Sequence, residues 1–464
     1  MPLSKIEKYL EEINRLIKEE NYSGAAFVIE SLDPPIIYHI LIRLDDEVRL
    51  RLFAFINLHA ISSLLNKLPE NILYEIMFVK GVDEINKVLQ NLRYDEIADV
   101  LDKIPPKFKS KIIELFPVNI KNEVLKLLKY PPESVGGVMT PQVPVFNHNM
   151  RVEDAINTYI TKDKLGLYDK HQYIYVVDED NKFLGWIDVK SFLTKPRDLL
   201  LNKIIQRCPM AIRADRDRED AARMAVLYDL SEVPVVDKDN KFLGAVTLDD
   251  ILDVVVHEFS EDLLKHGGLL EVIRGSYIVL NPLKLALKRA PMIIYLYFMN
   301  AITGGIVASF ENIIARVAII AAFLPMLADN SGNIGSQASS IIIRSMILGE
   351  IKCNRIDFMK VVIKEFMITT MMLLFLLPTA SIIGFTITFL TIGDFSMAIK
   401  VTFVVGVALA VSSYVSDIVG SSLPFLLIKI KLDPAVVSAP LITTIADILT
   451  VLSYFLVATF LLGI

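Results

Sequence analysis

Three aspartates stand inside long apolar stretches of the C-terminal half: Asp329, Asp417 and Asp447. An acid at membrane depth costs about 2.5–3.5 kcal/mol on insertion scales, so it normally faces a wet or functional interior. The same stretches hold too few basic residues to pair all three. Together they suit a path for a cation; each taken alone could instead be a protonated acid bonded to a neighbouring helix. Asp447 closes the run Pro440-Leu441-Ile442-Thr443-Thr444-Ile445-Ala446-Asp447, whose threonines add neutral oxygens. No histidine lies beyond His266, which argues against histidine-based hydrolysis or a His-ligated metalloprotease in this half. The oxygen donors that remain suit Mg2+, Ca2+ or Mn2+ and do not choose among them.

A second group of acids, Asp249, Asp250, Asp253, Glu258, Glu261 and Asp262, crowds one short helical stretch. Two like charges about 4 Å apart repel by roughly 4 kcal/mol at an effective dielectric of about 20. Bound divalent ions would cancel that repulsion and allow a compact arrangement. For any single acid of the group, a solvated helix face is the plainer reading.

The elements that must position these acids fall into two halves. The 464 residues are 53% apolar with a mean hydropathy of +0.47, yet 22% are charged, which fits a charged half joined to a membrane half. Five stretches are long enough to span: roughly 291–310, 313–348, 359–390, 397–427 and 434–462. The second is expected to break at Asp329-Asn330-Ser331-Gly332-Asn333, which is tolerated at depth only where it lines a cavity or is buried in protein. Basic residues collect before the first span (Lys284, Lys288, Arg289), between the second and third (Arg344, Lys352, Arg355, Lys360, Lys364) and between the fourth and fifth (Lys429, Lys431). That bias places those connections and the N-terminal half in the cytosol and the C-terminus outside a cell membrane. The N-terminus is a charged amphipathic helix, not a signal peptide. Cys208 and Cys353 imply no disulfide or zinc framework. The net charge of -6 does not favour a nucleic-acid partner.

Two repeats organise the charged half. In residues 1–130, proline recurs at Pro34-Pro35, Pro69 and Pro105-Pro106, which suits helix starts in a superhelical stack of helix pairs. The second repeat is plainer: Val176-Val177-Asp178-Glu179-Asp180-Asn181-Lys182-Phe183-Leu184-Gly185 returns as Val235-Val236-Asp237-Lys238-Asp239-Asn240-Lys241-Phe242-Leu243-Gly244. Each copy reads as strand, turn, strand between two helical segments. This pattern, opened by Met139-Thr140-Pro141, resembles a pair of CBS domains. Such pairs are regulatory and often carry G-x-x-[ST]-x-x-D, whose acid holds a ribose. The second copy has it as Gly244, Thr247 and Asp250; the first has Gly185, Asp188 and Ser191.

Tyr130-Pro131-Pro132-Glu133-Ser134-Val135-Gly136-Gly137-Val138-Met139-Thr140, Gly332-Asn333-Ile334-Gly335-Ser336-Gln337, Leu432-Asp433-Pro434-Ala435 and the run from Pro440 to Asp447 are four further motifs. Through them the chain, over essentially its whole length, resembles the MgtE family of Mg2+ channels. The resemblance implies a multidomain chain. An all-α superhelical domain occupies 1–130, an α/β tandem CBS pair 131–260, a linker helix 261–284 and an all-α five-helix transmembrane domain 285–464. It implies a homodimer in the lipid bilayer, with Asp447 holding hydrated Mg2+ and Asp433 at the cytosolic mouth. It also implies regulatory Mg2+ held by Asp95, Asp99, Asp217, Glu219, Asp229, Asp250, Asp253, Glu258, Glu261 and Asp262, which would close the pore. Asp329, Asn333, Asp417, Ala439 and Thr443 are expected to line it. Three positions depart from the family: Asp329 begins a loop usually rich in glycine, Asp417 stands where asparagine is usual, and Ala439 replaces an asparagine. The expected function is Mg2+ import gated by cytosolic Mg2+, with no enzymatic activity and with an adenine nucleotide such as ATP as the further ligand the CBS motif admits. The alternatives are a secondary transporter or exporter of divalent cations (Mn2+, Co2+, Ca2+) regulated by nucleotide, and a nucleotide-binding receptor that moves no ion.

Overall fold

The computed structural model describes residues 3–206, 210–269, 281–347, 349–432 and 439–462. The chain forms two compact units with a boundary between Glu258 and Phe259. Of the expected linker helix over 261–284, residues 270–280 lie outside the described residues, as do Asp433 and Cys208, while its first residues continue the helix Leu248–His266 and its last begin Pro282–Ser309.

The first unit begins with eight α-helices, from Leu3–Lys18 to Val118–Leu127. The recurrent prolines do stand at helix starts: Pro34 and Pro106 occupy the first turn, and Pro69 immediately precedes the helix Glu70–Leu89. Their apolar faces enclose one core, which includes Ile29, Ile40, Phe53, Leu68, Ile76 and Leu101. Arg49 is wholly buried in it. Its five N–H donors are all used: on both Glu75 carboxylate oxygens (each 2.6 Å), on Asp46 (2.6 Å) and on the carbonyls of Leu41 (3.2 Å) and Leu44 (2.8 Å). One charge thereby fixes the joints between three helices.

The repeated decapeptide builds the same object twice. Strands Val145–Asn147, Tyr173–Val177 and Phe183–Asp188 form one sheet, and Ile212–Arg213, Glu232–Val236 and Phe242–Thr247 form the other. In each, the first pair is parallel and the second antiparallel, with the register slipping at Val176/Val177 and at Val235/Val236. Asn181 and Asn240 both take positive φ (64° and 63°), a conformation asparagine tolerates in turns. The two turns then pair with each other: Phe183 N–H donates to the Asn240 carbonyl and Phe242 N–H to that of Asn181, both at 2.9 Å. The strict repetition therefore reflects a pseudo-twofold contact between the copies. Gly244 has a packing reason of its own, because a Cβ there would collide with the Thr140 carbonyl.

In the second unit, Pro282–Ser309, Arg355–Ile392, Phe395–Lys429 and Ala439–Leu462 are long and apolar enough to cross a membrane. The helix Leu324–Ile347, within the second expected span, is not among these four; it carries Asp329, Asn330 and Asn333. The expected interruption at Asp329–Asn333 is not observed. That segment is helical, and the irregularity lies earlier, at Val317 (φ −134°, ψ 72°) and the 3-10 turn Ala318–Phe323. The glycines there serve close packing instead of a break. A Cβ on Gly332 would lie 3.0 Å from Thr443 Cγ2, and one on Gly335 would lie 3.0 Å from the Ser416 carbonyl. Gly420 meets the backbone of Gly335 so closely that a Cβ would collide with its carbonyl.

Candidate ion-binding sites

In the membrane unit, Asp447 lies half-buried on Ala439–Leu462, and the charged side chain that acts on it is Asp329. Asp329 is exposed on Leu324–Ile347, where it accepts a hydrogen bond from Asn333 Nδ2 (3.3 Å) one turn on. The helix crossing beside them is fixed by buried Ser331, which accepts a 2.7 Å bond from Thr450 Oγ1. Thr443 Oγ1 and Thr444 Oγ1 each donate to the Pro440 carbonyl at 2.9 Å, which leaves their oxygen lone pairs as the available groups. Ala439 begins the described part of this helix. Asp417 is only 2% exposed and touches Glu365, which is 8% exposed on Arg355–Ile392. The sequence reading missed Glu365 because it follows Lys364 and sits among basic residues assigned to a cytosolic connection.

In the first unit, the helix Tyr94–Lys103 presents Asp95 and Asp99 to Asp250 and Asp253 on the helix Leu248–His266. Asp95 is 7% exposed and its carboxyl is pushed well above the usual carboxylate range, first by burial and then by Asp250 and Asp169. Asp250 is pushed up to about 7 by burial, with Thr247 opposing and Asp249, Asp99 and Asp169 adding. Asp99 is raised as well, by desolvation of its carboxyl and by Asp102, Glu96 and Asp253, against Lys103. Burial raises all three first, and neighbouring acids add to it.

Several residues of this acid cluster carried no signal in the motif reading. Asp169, from the loop before Tyr173–Val177, is 4% exposed and pairs with Arg93, while its Oδ2 has no partner; Asp95 Oδ1 likewise has none. Glu232 is 2% exposed and accepts from Tyr175 Oη (2.6 Å) and Gln172 N–H; burial pushes it up to about 7 against those two bonds. An acid within the apolar strand Glu232–Val236 was a readable signal. Lys170 reaches Asp249 (3.6 Å) and Lys67 reaches Asp253 (3.2 Å).

The remaining acids are dispersed. Asp217 caps the helix Arg218–Tyr228, accepting from Glu219 N–H (2.9 Å), and Asp229 ends it at φ 53°. Glu219 pairs with Arg223 (3.0 Å), Glu258 with Arg218 (2.8 Å) and Glu261 with Lys265 (3.0 Å). Asp262 lies half-buried on the helix Leu248–His266. Among the described residues no three His, Cys, Asp or Glu side chains converge as a formed metal cage. In the nucleotide motif, Thr247 Oγ1 lies 2.6 Å from both Asp249 Oδ1 and Asp250 Oδ2. One hydroxyl proton cannot serve both, so an Asp250 that carries a proton donates to Thr247 in turn.

Residues 324–457 match the MgtE family, described as a divalent cation transporter. Residues 11–133 match the MgtE intracellular N domain, and 135–198 with 201–257 match CBS domains. A protein of Enterococcus faecalis named magnesium transporter MgtE is 31% identical over 334 residues, 72% of this chain and 70% of that one. The chain belongs to the MgtE family. The magnesium transporter MgtE of Thermus thermophilus is 31% identical over 72% of each chain, and that of Bacillus subtilis is 26% identical over 96% of this chain and 95% of its own. Among solved structures, the cytosolic domain of the Mg2+ channel MgtE in complex with ATP covers 53% of this chain at 24% identity, with a TM-score of 0.48. The family's order of helical N domain, CBS pair and helical apolar region is the order found here.

Proposed function

We propose that the chain conducts Mg2+ across the cell membrane through its helical second unit and that cytosolic Mg2+ bound to its first unit closes it. Membership of the MgtE family, whose relatives are named magnesium transporters, supports the transported ion. The single observation that supports the regulatory half is that Asp250 acts on Asp95 and Asp99, and Asp253 on Asp99, from the facing helix. The buried and unpartnered Asp95 Oδ1 and Asp169 Oδ2 fit a cation, since buried carboxylate oxygens are normally satisfied. Asp95, Asp99, Asp250 and Asp253 would hold regulatory Mg2+, which supplies the positive charge their apposition lacks. Asp217, Glu219, Asp229, Glu258, Glu261 and Asp262 would add further weak sites.

In the second unit, Asp447 would hold the permeating hydrated ion, with Asp329, Asn333 and Thr443 around it. Five spans, a cytosolic first unit and an extracellular C-terminus follow from the distribution of basic residues, and a homodimer supplies the second wall of the pore. Adenine nucleotide at Gly244, Thr247 and Asp250 would compete with the regulatory ions, because both uses engage the Asp250 carboxyl. The test is Mg2+ entry into liposomes holding the purified protein, without a proton or Na+ gradient. Entry that Asp447→Ala abolishes is the expected result. Entry only when a gradient is imposed would make the protein a secondary transporter, and no entry under any condition would overturn the reading.

A further inference from the structure

Glu365 and Asp417 form a buried acid pair inside the membrane unit, apart from the Asp329–Asp447 pair. Glu365 sits on Arg355–Ile392 and Asp417 on Phe395–Lys429, and their carboxyl groups lie within hydrogen-bonding reach. A carboxylate has no donor, so a hydrogen bond between two carboxyl groups requires a proton on one of them. Thr369, one turn beyond Glu365 and 1% exposed, brings its hydroxyl beside Asp417 without completing a bond of ordinary geometry.

The surroundings supply little compensating charge. Lys364, next to Glu365 in the chain, is the basic group that acts on the pair, and its side chain is exposed. Tyr414, one turn before Asp417, is engaged with Thr370 (2.8 Å). The helix Leu324–Ile347 crosses at Ser416–Gly420 through Gly335; its charged groups are Asp329, which acts on Asp447, and Arg344, nine residues beyond that crossing. On Ala439–Leu462 the titratable groups are Asp447 and Tyr454, whose hydroxyl donates to the Ile320 carbonyl (2.9 Å).

We propose that Glu365 and Asp417 together are a proton-binding site in the membrane unit, and that its occupancy sets a pH dependence of transport distinct from ion binding at Asp447. The proton is taken from water and returned to water; no other bond is made or broken. Its loss leaves two carboxylates facing each other between Arg355–Ile392 and Phe395–Lys429, which drives those helices apart. The ligand is a proton because direct carboxyl–carboxyl contact leaves no room for a hydrated divalent ion, which keeps its waters.

Infrared spectroscopy of the full-length protein near neutral pH tests the site itself. Asp95, Asp250 and Glu232 contribute their own protonated-carboxyl bands, so the site is read in the difference spectrum of wild type minus the isosteric E365Q/D417N variant, which should show a protonated-carboxyl C=O band that shifts in D2O. A difference spectrum without that band overturns the proposal. The second arm rests on the transport reading: Mg2+ entry into liposomes should change at least about fivefold across neutral pH in the wild type and less than about twofold in E365Q/D417N. An equal pH response in both overturns the link to transport. Because the infrared band does not depend on flux, failure of the proton site and failure of the transport reading are distinguishable.

Discussion

The substitution Asp250→Asn isolates the electrostatic cost of docking the N-terminal helices on the CBS pair. Asp250 rises from an ordinary value of 3.8 to about 7 in the folded unit, chiefly through burial. At about 1.4 kcal/mol for each tenfold change, that displacement corresponds to about 4 kcal/mol. Asp95 and Asp99 interact with Asp250, so the figure is the ceiling for one residue. The sign follows from linkage. Asp250 binds a proton more tightly folded than unfolded, so its stabilising contribution is complete below about 3.8 and is lost as pH rises through about 7, and Asp95 is shifted in the same direction. Without Mg2+, docking of Tyr94–Lys103 against Leu248–His266 should therefore weaken from acid to neutral pH, and Mg2+ should restore it. Asparagine keeps the shape and a hydrogen bond to Thr247 while removing the charge. Hydrogen exchange along Tyr94–Lys103 in the full-length protein is the assay. Wild type should lose protection by at least about tenfold on passing from about pH 5.5 to about pH 8 without Mg2+. D250N should lose much less and respond more weakly to Mg2+. Equal protection at both pH values in the wild type, or an undiminished Mg2+ response in D250N, would refute the account.

Four further outcomes are expected. Asp447→Ala should abolish Mg2+ flux in liposomes while the protein stays folded, and near-normal flux would remove Asp447 from the ion path. Asp329→Gly should alter the relative permeation of Mg2+, Mn2+ and Ca2+, read from competition in the same assay, because it removes the charge that acts on Asp447. Arg49→Met strands Glu75 in the first unit and should cost about 3–5 kcal/mol in denaturant unfolding, whereas a loss under about 1 kcal/mol would mean that the five bonds contribute little net stability. Gly420→Ala forces a Cβ into the Gly335 carbonyl and should cost about 1–3 kcal/mol, seen as a lower melting temperature in detergent.

The features legible in the sequence were those written in periodicity and repetition. The decapeptide repeat announced two strand–turn–strand units, and the structure gives it a cause, because Asn181 and Asn240 each take positive φ and each other's neighbours as partners. Prolines at helix starts were equally readable, since a fixed φ and a missing N–H act locally. The break assigned to Asp329–Asn333 failed for a related reason. Glycine beside polar residues reads locally as a loop, but Gly332 and Gly335 are spent on contacts with Thr443 and Ser416, residues distant in sequence.

The acids divide along the same line. Asp95, Asp99, Asp250 and Asp253 were found through a resemblance and a visible run of charge, yet Asp169 and Glu232 belong to the same cluster and come from a loop and a strand with no motif. Asp417 was read as one of three pore acids because it stands in an apolar stretch with too few basic residues to pair it, while Glu365, beside Lys364, looked like part of a charged connection. A carboxyl group in an apolar helix is a question about what faces it, and only the packing of Arg355–Ile392 on Phe395–Lys429 answers it. Two pairs of acids, Asp329 with Asp447 and Glu365 with Asp417, have different chemistry for that reason. The first sets an exposed acid, Asp329, to act on a half-buried one, Asp447, an arrangement that would suit a hydrated cation. The second is closed over by helix packing, where a proton is the cation that fits.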